Sequence, residues 1–153
     1  MNIGIRGWGT YIPDTSMTAA EISEKTGIPE EVIAKKFGVK QKPVPGPQDT
    51  PSYMGLQAAR RALEKADVDP LDIDLVIWNG GQHKDYPCWL AGLKVAHELG
   101  AHNAWSFDME AMCGSMMAGF DVAKSMLLGK EELNRVLLVS GYRNVDLIDL
   151  SVK

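Results

Sequence analysis

The chain has 153 residues, 45% hydrophobic and 24% charged, which is ordinary globular composition and enough length for one domain with a core. Its formal charge of -4 comes from acidic and basic residues mixed along the chain, so no basic stripe invites nucleic acid or an anionic membrane surface. No apolar run approaches the roughly 18 to 20 residues of a membrane span, no signal-peptide pattern opens the chain, and Cys88 and Cys113 have neither disulfide-framework nor zinc spacing. The sequence reads as cytoplasmic, with two free thiols and no metal site.

Residues 3–9 alternate apolar side chains with glycine and arginine and end at the turn Tyr11-Ile12-Pro13-Asp14, the pattern of a first strand. Thr18 with Glu21 three residues on forms a capping box for a short helix over 19–25, and Pro29 opens another through Lys36. Four prolines and a glycine over 41–51 predict an exposed, mobile loop. Met54, Leu56, Ala59, Ala62 and Leu63 recur at helical spacing and predict one amphipathic helix over 52–66.

The apolar run 74–79 ends in Gly80-Gly81, as a strand buried on both faces would. A helix over about 88–99, a strand over 104–109, a helix over 114–128 and a strand over 135–140 complete the pattern. Alternation with short links implies an α/β fold, a mostly parallel sheet with helices on both faces, and ligands beyond the C-terminal ends of the strands. No linker or repeat divides residues 1–153, which read as one domain.

Cys113 stands between a predicted strand and a predicted helix. A thiol there would see unpaired N–H groups and the positive end of the helix dipole, which favour thiolate and could hold an oxyanion. Gly114, Ser115, Ala118 and Gly119 would let a substrate or a second helix approach the sulfur. The residues alone leave a buried structural cysteine equally open. The methionines at 109, 112, 116, 117 and 126 fit either a flexible acyl channel or core packing.

Several segments in order, Gly7-Trp8-Gly9-Thr10-Tyr11-Ile12-Pro13, Ala58-Ala59-Arg60-Arg61-Ala62-Leu63, Asp72-Ile73-Asp74-Leu75-Val76-Ile77, Leu99-Gly100-Ala101, Phe107-Asp108 and Cys113-Gly114, resemble the ketoacyl-acyl-carrier-protein synthase III family. The resemblance spans nearly the whole chain and implies the N-terminal half of a thiolase-like fold. It makes Cys113 the nucleophile that takes an acyl group from coenzyme A as a thioester, which then condenses with a malonyl unit on acyl carrier protein, in fatty acid or polyketide synthesis. No permanently bound cofactor is implied; acyl-CoA and malonyl-acyl-carrier-protein are substrates, and a homodimer is expected.

The family's histidine and asparagine lie in a second half that this sequence lacks. The chain, ending at Lys153 without a closing element, therefore reads as cut short and inactive alone. None of His83, His97 and His102 matches the family's histidine, and His97 and His102 suit surface or helix-end roles. The resemblance brings His83, Pro87, Trp89 and Leu90 near an acyl pocket or dimer contact, against a solvated loop role for His83 and a core role for Trp89 and Leu90; Cys88 reads as structural. Where the family grips coenzyme A with tryptophan and arginine, this chain has Val32 and Lys36, and lysine can meet a phosphate only as a point charge. A hydroxymethylglutaryl-CoA synthase-like enzyme and a non-catalytic dimerisation or scaffold subunit are the competing readings.

Overall fold

In the computed structural model, which describes residues 2–81 and 85–144, the chain groups into two compact units, Met1–Tyr11 with Thr50–Tyr142 and Ile12–Asp49 with Arg143–Lys153. No change of composition marks the junctions, which is why the sequence read as undivided. Among the described residues no helix is long and apolar enough to cross a membrane.

The smaller unit is built on a two-stranded antiparallel ribbon. Strand β1 (Ser16–Thr18) pairs with β2 (Gln41–Pro43), and helix α1 (Ala19–Thr26) follows β1 directly. The Thr18–Glu21 capping box forms as its spacing requires, and Gly27 closes the helix at φ 71. The predicted loop over 41–51 thus begins as a strand, because Pro43 is tolerated at the end of a ribbon that has no third strand to pair with. The helix predicted from Pro29 becomes a wide π-type turn over Val32–Lys36, closed by the Phe37 N–H on the Val32 carbonyl.

The larger unit is a three-stranded parallel sheet. Helix α2 (Pro51–Ala66) is capped by Thr50, with Pro51 in its first turn; β3 (Leu75–Gly80), α3 (Ala91–Leu99), β4 (Trp105–Glu110), α4 (Ser115–Gly129) and β5 (Val136–Val139) follow. The sheet order is β4-β3-β5, with Leu75 level with both Trp105 and Val136. All six residues of β3 are buried, as its unbroken apolar run requires of a central strand covered on both faces.

Alternation decides which face each side chain serves. Val76 and Trp78 join Leu56, Ala59, Leu63 and Val95 beneath α2 and α3, while Leu75 and Ile77 pack with Ala123, Val122 and Met126 beneath α4. Burying one such aliphatic side chain contributes about 1.5–3 kcal/mol, so the two faces together hold β3 at the centre.

The strand predicted over 3–9 does not form a ladder. That segment lies against α2, where a Cβ on Gly9 would come within 2.3 Å of the Ala58 carbonyl oxygen. Arg6 Nε donates to the Ala66 carbonyl (3.1 Å), an Arg61 guanidinium N–H donates to the Thr10 carbonyl (2.6 Å), and Lys65 Nζ sits 3.8 Å from the Trp8 ring centroid. Gly7 and Gly9, which read as strand alternation, serve close helix contact instead.

Candidate functional site

Both β3 and β4 end at the same edge of the sheet, with Gly80 level with Glu110, and the informative residues gather in the turns beyond. After β4, Ala111 leads into a tight turn over Met112–Gly114, and α4 starts at Ser115. Cys113 lies in that turn and is exposed, which removes the buried structural reading. Its neighbour Met112 has φ 51, a left-handed conformation that an unbranched side chain seldom adopts.

The turn is built over Ser115, whose side chain is fully buried. Ser115 Oγ accepts from the Ala111 N–H (2.8 Å) and reaches two carbonyl oxygens, of Gly80 (2.7 Å) and Met112 (2.8 Å). The Gly114 N–H goes to Ala111 and the Ser115 N–H to Met112, so these two donors are spent within the turn and do not face a substrate. Gly114, at the N-cap of α4, has no side chain to cap with. The positive end of the helix beside the sulfur is correspondingly free of a capping side chain of its own.

Gly119 has a different purpose from the one its size suggested. It is buried, and a Cβ there would lie 2.0 Å from Asn79 Oδ1, so it admits the central strand rather than a substrate. The methionines divide: Met109 and Met126 pack in the core beneath α4, while Met112 and Met117 are exposed.

The turn after β3 is held by a polar cluster that sequence reasoning missed. Asp85, nearly buried, accepts from Thr50 Oγ1 (2.9 Å), the Ser52 N–H (3.0 Å) and the Ser52 hydroxyl; Lys94 Nζ donates to Ser52 Oγ (3.1 Å) and stands 3.8 Å from the carboxylate. Burial works against its ionisation, yet the hydrogen bonds from Ser52 and Thr50 and the charge of Lys94 outweigh it, and the carboxyl is held below its ordinary range. The signal available in the sequence was the Thr50-Pro51-Ser52 start of α2, but nothing there names Asp85 as its partner.

Beyond Asp85, Pro87 and Leu90 are exposed. Trp89 is half-buried, packs against the core beneath α2 and α3, and meets Tyr86 edge to face at 5.3 Å. His83 lies outside the described residues. Cys88 is exposed with φ 57, which delays the start of α3 from the predicted 88 to Ala91. There Asp108 caps the helix from β4, accepting from the Ala91 and Gly92 N–H groups at 2.9 Å each. His97 and His102 stand together, ring centroids 5.9 Å apart, beside the start of β4. They are at the opposite end of the sheet from Cys113. Lys36 is exposed at the end of the π-type turn in the smaller unit.

No protein-family model matches the chain. It is 36% identical over 150 residues to a beta-ketoacyl-[acyl-carrier-protein] synthase III of Streptomyces lividans, covering 96% of this chain and 43% of that protein. It is 32% identical over 140 residues to the protein of the same name from Azobacteroides pseudotrichonymphae, covering 90% and 41%. Among solved structures, the priming beta-ketosynthase of the R1128 polyketide biosynthetic pathway superposes with a TM-score of 0.90 at 32% identity, over 97% of this chain and 44% of that one. OleA of Xanthomonas campestris bound with cerulenin gives 0.82 at 25% identity. The chain thus spans less than half the length of the curated relatives it matches.

Proposed function

From the premise that this chain is related to the beta-ketoacyl-[acyl-carrier-protein] synthase III family and shares one half of its thiolase-like fold, we infer that it carries the acyl-accepting half of a condensing enzyme, with Cys113 as the nucleophile. The observation that carries this reading is an exposed thiol in the turn between a parallel strand and the start of α4. In an α/β sheet that edge is where ligands meet the chain.

The Cys113 sulfur would attack the carbonyl carbon of an acyl-CoA, forming the new C–S bond as coenzyme A leaves as its thiol. The thioester conserves the activation of the acyl group, and covalent capture divides a hard carbon–carbon bond formation into two steps. The second step, decarboxylative attack by a malonyl unit on acyl carrier protein, needs groups that steady a carbanion. Among the described residues, His97 and His102 are about six strand residues away from the sulfur, at the far end of β4. At about 3.3 Å per residue neither can reach it. The chain therefore supplies the capture step, and the condensation calls on groups beyond its described residues.

Pro87, Trp89 and Leu90, with His83, are proposed to border the acyl group or a second subunit of a homodimer, and Lys36 to meet a coenzyme A phosphate as a point charge. A cytoplasmic place in fatty acid or polyketide synthesis follows from the same reading, without a permanently bound cofactor. The test is intact-protein mass spectrometry after incubation with an acyl-CoA series. The expected result is a single acyl adduct, lost in Cys113→Ala, with one chain length favoured; an adduct that persists in Cys113→Ala would contradict the assignment.

A further inference from the structure

Met112, the residue before the nucleophile, is held in a conformation it would not choose, and the reason is written in the residues around its carbonyl. Its φ is 51, and two hydroxyl groups converge on its carbonyl: Ser115 Oγ at 2.8 Å and Tyr142 Oη at 2.9 Å. A serine hydroxyl has one proton. Ser115 cannot donate at once to Met112 and to the Gly80 carbonyl at 2.7 Å, and its lone pair already takes the Ala111 N–H. The Met112 carbonyl already takes the Ser115 N–H, so the Ser115 proton is left for Gly80, and the Tyr142 phenol gives Met112 a donor from outside the turn.

The chain is shaped to deliver that phenol. Tyr142 follows β5, and the preceding Gly141 passes so close to the start of α2 that a Cβ would lie 2.0 Å from the Pro51 carbonyl oxygen. The Tyr142 ring then crosses the end of β3, where a Cβ on Gly81 would meet it at 3.0 Å. Its side chain is not a core anchor, since the residue is 42% exposed. What it reaches is the backbone beside the reactive sulfur.

We propose that Tyr142 is a positioning residue for Cys113, its hydroxyl locking the left-handed Met112 through the Met112 carbonyl while Ser115 ties the same turn to the end of β3. Three strand ends are thereby joined at one point, and strain held by surrounding contacts beside a reactive group is the setting in which such a device acts. The inference rests on the reading of Cys113 as the acyl acceptor. It adds a residue beyond the strand–turn–helix segment that contains the thiol.

Tyr142→Phe keeps the ring and removes one oxygen, so the fold should survive with a Tm shift of no more than about 4 °C. Peptide-resolved acylation by acetyl-CoA and hydrogen exchange over residues 111–115 are then compared with wild type. The expected result is faster exchange in that turn and acylation of Cys113 slowed by about tenfold or more, since small misplacement of a reacting group costs rates of that order. Tyr142→Leu, which also removes the ring's aromatic shape, should slow acylation no less. A purely structural role would lower Tm and leave the acylation of folded protein unchanged. Acylation of Tyr142→Phe within twofold of wild type, or unchanged exchange, overturns the inference alone. Wild-type protein that takes no acyl group at Cys113 overturns the reading of the nucleophile and this inference with it, so the two failures are told apart.

Discussion

The chain has two exposed thiols in two turns at the same edge of one sheet, and their surroundings differ at every level. Cys88 itself adopts the left-handed conformation, two residues short of a helix whose first N–H groups are already taken by the Asp108 carboxylate. Cys113 leaves that conformation to its neighbour Met112 and abuts a helix whose N-cap is a glycine. Beneath Cys113 a buried serine joins the turn after β4 to the end of β3, whereas the Cys88 turn is held from its start, by Asp85 bonding to the first residues of α2. The lesson is that exposure alone does not separate the two thiols. A helix start without a side-chain cap, and a turn fixed immediately under the sulfur, are what favour Cys113 as the proposed acyl acceptor.

The largest effect should come from removing each thiol in turn. Cys113→Ala is expected to abolish acyl transfer from acyl-CoA, while Cys88→Ala stays within about twofold of wild type, as a surface substitution away from the chemistry should; the rate of coenzyme A release measures both. Next come the anchors. Ser115→Ala strips a buried donor and acceptor from the Ala111 N–H and the Gly80 carbonyl, and each group left unpaired costs about 1–3 kcal/mol, to be read from urea unfolding.

Asp85 sharpens the contrast through pH. Because its folded-state carboxyl is held below its ordinary value of 3.8, its contribution to stability is fully present above the unfolded value and is lost as pH falls through the folded one. Wild-type stability should therefore decline below about pH 4 more steeply than that of Asp85→Asn, in chemical denaturation at stepped pH. The smallest effect is expected at Asp108. Asp108→Asn weakens the charge on the start of α3, costing about 1 kcal/mol, and should raise alkylation of Cys88 by iodoacetamide without making it an acyl acceptor.

Much of this arrangement was visible in the sequence because it depends on local pattern. The buried run of β3, the periodicity of α2, the Thr18–Glu21 cap and the place of Cys113 between strand and helix all follow from near neighbours. Where the reading failed, a distant partner decided. Gly7 and Gly9 alternate like strand residues but sit against α2, and Gly119, small enough to suggest a substrate path, makes room for Asn79. Asp85 meets Thr50 and Ser52 across 35 and 33 residues, and Tyr142 meets Met112 across 30. No spacing rule reaches that far, and a lone aspartate or tyrosine in a turn carries no mark of the partner it will find.

The most direct test of the central claim is to locate the acyl group itself. Wild-type protein acylated with labelled acyl-CoA would be digested under conditions that spare thioesters, and its cysteine peptides sequenced by mass spectrometry. The account predicts the label on Cys113 and none on Cys88. Label on Cys88, or spread evenly over both thiols, would contradict it.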